Sequence, residues 1–202
     1  MMNKSILLMG TLLVSTFVEI AAQKNSENPN IIFVLADDMG IGDLGCYGQK
    51  KIKTPNIDKL AEKGVLFTNH YSGSTVSAPS RCSLLTGKHT GHAYIRGNKG
   101  IKSEEGFFDL HLPSDEVTVA EILKRKGYAT MCVGKWGLGG PHTTGSPVRK
   151  GFDYFFGYLS QGAAHRYYPE YLYENEDKVM LNKKVYSHFS VSYTHLRAHE
   201  TR

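Results

Sequence analysis

Cysteine is scarce in this 202-residue sequence, which contains only Cys46, Cys82 and Cys132. Three cysteines cannot form a fully paired disulfide framework, and their spacing matches no zinc-binding motif. We therefore expect all three to pack as small apolar side chains. The sequence also lacks an internal repeat and a long low-complexity segment, which argues against a repeat architecture.

A hydrophobic run long enough to span a bilayer comfortably is missing as well. The apolar stretch at residues 6–18 follows the positively charged Lys4 and precedes the small residues Ala21 and Ala22. This order is typical of a secretory signal peptide, which we predict over residues 1–22. The protein is then expected to be secreted or periplasmic, without a stable membrane anchor. A membrane anchor or a buried first helix is the alternative.

Residues 191–202 show neither the helical nor the strand period of apolar side chains. The segment resembles a peptide that arises when sequencing adapter is translated at the broken end of a metagenomic reading frame. We therefore expect a non-native, adapter-derived tail, and we discount the His195 and His199 pair as metal ligands. A charged C-terminal tail of the native protein is the alternative.

The formal net charge of +5 suits an anionic substrate, although composition alone is a weak indicator. We expect no nucleic-acid partner.

The remaining residues, 23–190, alternate predicted strands with predicted helices. The apolar run 31–35 predicts a strand buried on both faces, and residues 65–67 and 128–133 predict further strands. This order is typical of an α/β fold with a doubly wound, mainly parallel sheet sandwiched by helices.

Capping signals place the helices between these strands. Residues 54–64 begin with a Thr-Pro pair and end on glycine, as a helix does. Thr118 and Glu121 have the spacing of a capping box, and Gly127 marks the end of that second helix. Beyond Phe152 the sequence is rich in aromatic residues and glycine, which predicts loops and short strands.

Chemically active side chains follow the predicted strands. Asp37 and Asp38, the segment around Ser77, and Lys135 all fall near predicted carboxyl ends of strands. Ligand sites of open α/β sheets lie at that edge, so these residues predict a site there.

The segment Ser-Ala-Pro-Ser-Arg at 77–81, followed by Leu-Leu-Thr-Gly at 84–87, carries the most specific signal. It resembles the signature of the sulfatase family, which belongs to the alkaline-phosphatase-like superfamily. In that family the first residue is oxidised to formylglycine, an aldehyde whose hydrate attacks sulfur. The resemblance implies that Ser77 is the precursor of the nucleophile and that Arg81, one helical turn away, neutralises charge there. An ordinary helix N-cap serine is the alternative reading of Ser77, and the two can coexist.

The acidic pair resembles the family's first metal motif. The resemblance implies that Asp37, Asp38 and the modified Ser77 bind a divalent cation, Ca²⁺ or Mg²⁺, for which oxygen ligands are suited. The rest of the ligand shell is expected beyond the end of this sequence. Taken without the resemblance, an Asp-Asp pair at a strand end is more typical of a turn in which Asp38 accepts backbone N–H bonds.

The segment Gly-Lys-Trp-Gly-Leu-Gly at 134–139 resembles a family motif that has histidine where Gly137 stands here. The resemblance implies that Lys135 binds a sulfate oxygen, whereas a solvated charge is the alternative. The departure at Gly137 leaves the base that expels sulfate unassigned, and His89, His92 or a residue beyond the sequence could supply it.

Residues 151–158 and 161–169 resemble a bacterial branch of the family. The resemblance implies that His165 protonates the leaving oxygen, and a histidine packed among tyrosines is the alternative. His92, Arg96 and Asn98 are candidates for lining the substrate pocket, where arginine suits a carboxylate or a second sulfate.

These inferences predict that residues 23–190 are the N-terminal part of a sulfatase catalytic domain. Its substrate would be a sulfated carbohydrate or an aryl sulfate ester. Its maturation would need a formylglycine-generating enzyme of the anaerobic radical type. Two alternatives stay open: a phosphatase-like or phosphodiesterase-like relative with an unmodified Ser77, and an inactive truncated domain that binds anions.

Overall fold

The computed structural model describes residues 28–103 and 106–191. The predicted signal peptide lies outside the described residues, as does the predicted tail apart from Val191. The chain divides into two compact units, with the boundary between Leu66 and Phe67. Within the described ranges, no helix is long and apolar enough to cross a membrane.

The first unit contains two short 3-10 helices, Ile41–Asp43 and Gly45–Tyr47, and the helix α1, Pro55–Lys63. The predicted bounds of this helix are confirmed, with Thr54 before it and Gly64 after it. The Thr54 hydroxyl does not cap the helix by a side-chain bond. It accepts a hydrogen bond from the Gly45 N–H at 2.8 Å and donates to Asp58 Oδ1 at 2.9 Å.

The strands predicted at 31–35 and 65–67 are wrong in this structure. Neither segment has regular secondary structure, and the apolar side chains of residues 31–35 are exposed. A strand exists only where a neighbour completes its hydrogen-bond ladder, and no described strand pairs with either segment. An apolar run identifies a segment that can be buried, but it does not identify the neighbouring strand with which the segment would pair.

The second unit begins with the helix α2, Ser77–Thr86, and a hairpin formed by β1, Gly100–Ser103, and β2, Gly106–Asp109. The helix α3, Val119–Arg125, follows. Its capping box is confirmed, since Thr118 Oγ1 accepts from the Glu121 N–H at 3.2 Å and Glu121 Oε2 accepts from the Thr118 N–H at 2.8 Å.

Four strands form the main sheet in the order β3-β4-β5-β6. They are β3, Met131–Lys135; β4, Tyr154–Tyr158; β5, Tyr171–Glu174; and β6, Asp177–Met180. The pair β3–β4 is parallel and the other two pairs are antiparallel. The α/β class is confirmed, and the described part of the sheet is mixed. The β5–β6 pair is antiparallel because a tight turn joins the two strands, and in it Asn175 has a φ of +56° that asparagine tolerates.

The core of the second unit packs α2 against the loops and strands around β3 and β4. Its fully buried side chains include Cys82, Ile95, Leu112, Trp136 and Phe155. All three cysteines lie among the described residues with free thiols; Cys82 is buried, which raises the pKa of its thiol, while Cys46 and Cys132 are partly exposed. Packing therefore holds α2 and the carboxyl end of β3 in fixed positions.

Candidate functional site

Ser77 is the first residue of α2, so the alternative reading of Ser77 as the helix N-cap does not hold. The cap position belongs to Val76, whose backbone is extended and whose side chain cannot bond to the helix. The free N–H of Ala78 is satisfied instead by Asn98 Oδ1 at 3.0 Å. The Ser77 hydroxyl is thereby left out of helix capping and is available for other contacts.

Arg81 joins Ser77 to the end of β3. Its Nε donates to Ser77 Oγ at 3.0 Å, and its Nη1 donates to the Lys135 carbonyl oxygen at 2.6 Å. The first contact follows from the i, i+4 spacing, which places both side chains on one helix face. The second contact depends on the tertiary fold and could not be read from the spacing.

Lys135 is the last residue of β3 and pairs with Tyr158 of β4 in the parallel register. Its side chain is half-buried. The structure thus brings Ser77, Arg81, Asn98 and Lys135 into one network of side chains and backbone. The Arg81 guanidinium and the N-terminal end of α2 both favour a negative charge beside the Ser77 hydroxyl.

Asp109, the last residue of β2, is a member of the site that the sequence analysis missed. It is 6% exposed, and its Oδ2 accepts a hydrogen bond from the Gln161 N–H at 2.6 Å. Burial raises the pKa of this carboxyl, while the Gln161 bond and the Lys135 charge partly oppose the rise. In the sequence, a single aspartate after two phenylalanines does not indicate a functional residue.

Gly137 lies two residues beyond Lys135, and its N–H donates to the Leu159 carbonyl at 3.0 Å. A Cβ at this position would lie 1.8 Å from Gln161 Nε2. The Gln161 side chain therefore occupies the space beside Gly137. Among the described residues, Nε2 of this buried side chain has no hydrogen-bond partner.

His165 lies at the end of a 3-10 helix, Ala163–His165, and its side chain is exposed. The exposed position does not support the alternative of a histidine packed among tyrosines. His188 occupies such a position instead, stacked on Tyr186 with ring centroids 4.8 Å apart.

His92 and Arg96 lie in the loop between α2 and β1, and both are exposed. Arg96 Nε donates to the Ala93 carbonyl at 3.1 Å, which holds the guanidinium against its own loop. His89, the other candidate base, is exposed in the same loop and accepts from the Gly91 N–H at 3.1 Å. None of the three is buried in the way that Gln161 and Asp109 are.

Asp37 and Asp38 lie in the first unit, and both are exposed. Asp38 has a φ of +53°, a left-handed conformation that is typical of turns and of some functional residues. Two adjacent carboxylates fit a hard divalent cation, but they provide only part of a shell. No cluster of three or more His, Cys, Asp or Glu side chains occurs among the residues that the structure describes.

The family model described as Sulfatase matches residues 29–189. The N-acetylgalactosamine-6-O-sulfatase of Bacteroides thetaiotaomicron is 48% identical over 142 residues, which cover 66% of this chain and 27% of that protein. Human steryl-sulfatase is 42% identical over 151 residues, which cover 70% of this chain and 25% of that protein. The chain therefore spans about a quarter of the length of the curated relatives it matches.

The chain also matches solved structures in fold. One, from a study of glycosaminoglycan metabolism by Bacteroides thetaiotaomicron, matches with a TM-score of 0.64 at 42% identity, covering 76% of this chain and 32% of that one. Another, solved with its substrate D-glucosamine-2-N,6-O-disulfate, matches with a TM-score of 0.65 at 29% identity, covering 86% of this chain and 31% of that one.

Proposed function

Because the chain belongs to the sulfatase family, we propose that the whole protein hydrolyses sulfate esters of carbohydrates at a site built around Ser77. The observation that carries the proposal is the network that joins Ser77, Arg81 and Lys135. It joins a hydroxyl at a helix start to the Arg81 guanidinium and to the backbone of Lys135, and positive charge beside a nucleophile is what an anionic ester under attack requires.

The family implies a formylglycine and a divalent metal. Formylglycine made from Ser77 would supply the nucleophile, and a bound divalent cation, Ca²⁺ or Mg²⁺, would supply the charge that polarises it. Asp37 and Asp38 would hold the cation through carboxylate oxygens, together with the modified residue 77. Further ligands would come from outside the described residues.

The residues of this chain bind and orient the substrate. Lys135 neutralises a sulfate oxygen, and Arg81 holds the side chain of residue 77 in place while adding positive charge. The exposed His165 would protonate the leaving oxygen, and its exposure leaves the imidazole accessible to a sugar. His92, Arg96 and Asn98 would border the pocket, although Asn98 Oδ1 already accepts a hydrogen bond from the Ala78 N–H at the start of α2.

A carbohydrate substrate is favoured by two of the relatives. One is named for N-acetylgalactosamine-6-sulfate and another was solved with a sulfated glucosamine. Action on extracellular polysaccharide agrees with the proposed signal peptide and with a secreted or periplasmic location. A serine at position 77 further implies a maturation enzyme of the anaerobic radical type.

The test is sulfate release by the complete protein, expressed together with that maturation enzyme. We expect release from N-acetylgalactosamine 6-sulfate or glucosamine 6-sulfate, and its loss in Ser77→Ala. Hydrolysis of a phosphate ester by protein with an unmodified Ser77 would favour the phosphatase-like alternative. Binding of sulfate with no turnover of any sulfate or phosphate ester would favour the inactive anion-binding domain.

A further inference from the structure

Gly137 and Gln161 form a complementary pair. A Cβ on Gly137 would lie 1.8 Å from Gln161 Nε2 and 2.5 Å from its Cδ. Both distances are far inside van der Waals contact, so a side chain at position 137 and the Gln161 amide exclude each other in this arrangement. The Gln161 side-chain amide can therefore occupy this position only because Gly137 has no side chain.

Backbone hydrogen bonds of Gln161 and Gly137 limit where the Gln161 side-chain amide can lie. The Gln161 N–H donates to the buried Asp109 carboxylate at 2.6 Å, and the Gly137 N–H donates to the Leu159 carbonyl at 3.0 Å. Only 7% of Gln161 is exposed. A buried side chain with a fixed backbone has few other positions available.

The amide nitrogen nevertheless makes no hydrogen bond to any described residue. An amide –NH₂ carries two donors, and burying a donor without a partner destabilises a fold. Such groups are rare in native proteins, and each requires an explanation. A bound ligand that accepts a hydrogen bond from the side-chain amide is a direct explanation.

The surroundings indicate which ligand. Gly137 is two residues beyond Lys135, whose carbonyl accepts from Arg81 Nη1 at 2.6 Å, and Arg81 Nε donates to Ser77 Oγ at 3.0 Å. The Lys135 charge also acts on Asp109, which bonds to the Gln161 backbone. The unpaired donor therefore lies beside Gly137, just past the Lys135 backbone that Arg81 joins to Ser77.

The geometry points to Gln161 as a catalytic residue whose Nε2 donates a hydrogen bond to an oxygen of the sulfate ester bound beside Lys135. The inference rests on the proposed function and adds a group to its site. A carboxamide is neutral and does not titrate, so it stabilises negative charge on sulfate but cannot serve as a base. Gln161 thereby fills the space beside Gly137, but it does not act as the base that expels sulfate.

The decisive variant is Gln161→Met in the complete, matured protein, because methionine has a similar shape and no N–H donor. We expect kcat/KM to fall about 100-fold, which is typical of a lost donor to a developing charge. The melting temperature should not fall, since an unpaired buried donor is replaced by apolar atoms. The rise in melting temperature that inorganic sulfate produces in the wild type should shrink.

Two further variants separate ligand contact from packing. Gln161→Glu keeps the shape and adds negative charge, so it should abolish the sulfate-induced rise. Gln49→Met is the matched control, because the Gln49 amide donates to the Asp43 carbonyl at 3.1 Å in the first unit. It should lower the melting temperature without changing the response to sulfate.

The inference is overturned if Gln161→Met keeps both the sulfate-induced rise and a kcat/KM within about twofold of the wild type. It is also overturned if inorganic sulfate does not stabilise the wild type at all. A wild type that is stabilised by sulfate but hydrolyses no sulfate ester contradicts the proposed function alone, since the binding measurement still reports on Gln161.

Discussion

At the scale of single residues, Arg81 makes two hydrogen bonds through two different nitrogens of its guanidinium group. Its Nε and Nη1 reach Ser77 Oγ and the Lys135 carbonyl, 3.0 Å and 2.6 Å away. A guanidinium presents donors in a rigid fork, whereas an ammonium is a single point of charge. Arg81 therefore positions residue 77 and fixes the distance between α2 and the end of β3.

Arg81→Lys tests this role while keeping the positive charge. We expect kcat/KM for a sulfated sugar to fall about 100-fold, because lysine cannot bridge both acceptors. Steady-state kinetics of the matured protein measure the effect. Arg125→Lys, on the exposed last residue of α3, is the control and should leave kcat/KM unchanged. Equal activity of the two variants would show that charge alone suffices at position 81.

Asp109 gives a prediction about pH. Burial raises the pKa of its carboxyl in the folded protein above the ordinary value of about 3.9, so the folded state holds this proton more tightly than the unfolded state. The free energy of unfolding must then fall as pH rises from the ordinary pKa through the folded pKa. Above the folded pKa, the contribution of the protonated Asp109 carboxyl to the free energy of unfolding is fully lost.

Asp109→Asn removes this titration and can still accept from the Gln161 N–H. We expect its free energy of unfolding, relative to that of the wild type, to be higher at pH 7 than at pH 4. Urea unfolding at both pH values measures the difference. A difference that is the same at both pH values would mean that the Asp109 carboxyl is not buried as the structure places it.

At the scale of elements, capping chemistry predicted helices better than hydrophobicity predicted strands. The α1 bounds and the capping box of α3 follow from local sequence, because the partners lie within a few residues of each other. The runs 31–35 and 65–67 carry strand-like composition, but a strand also needs a distant neighbour, which composition does not identify.

The same distinction applies within the site. The Ser77–Arg81 contact was predictable because it spans one helical turn. Asp109 and Gln161 lie 52 residues apart and meet only because β2 and the end of β4 converge in the folded second unit. The unusual Gly137 was visible in the sequence, while the side chain that fills its space was not.

Thr118 offers a test of the α3 cap. Its hydroxyl accepts from the Glu121 N–H and also donates to the Lys150 carbonyl at 2.7 Å, in a buried position. Thr118→Ala should lower the free energy of unfolding by about 0.5–2 kcal/mol, near the upper end because the buried carbonyl also loses its donor. Thr118→Ser should retain most of the stability, and chemical unfolding compares the two. An alanine variant as stable as the serine variant would contradict this account.

At the scale of the whole molecule, the chain supplies one part of a sulfatase. It spans about a quarter of the length of its curated relatives, and the described residues provide the Ser77 network but no complete cation shell. Further substrate contacts and the remaining metal ligands would therefore come from the rest of the protein. The chemistry assigned to this chain depends on the identity of one side chain, that of residue 77.

The mass of the tryptic peptide 64–81, from protein expressed with an anaerobic radical maturation enzyme, tests that identity most directly. We expect a peptide two hydrogens lighter than the encoded sequence, with the difference located at residue 77 and an aldehyde that reacts with a hydrazine. A peptide of the encoded mass, in protein that nevertheless hydrolyses its ester, would contradict the formylglycine mechanism and leave Ser77 itself as the nucleophile.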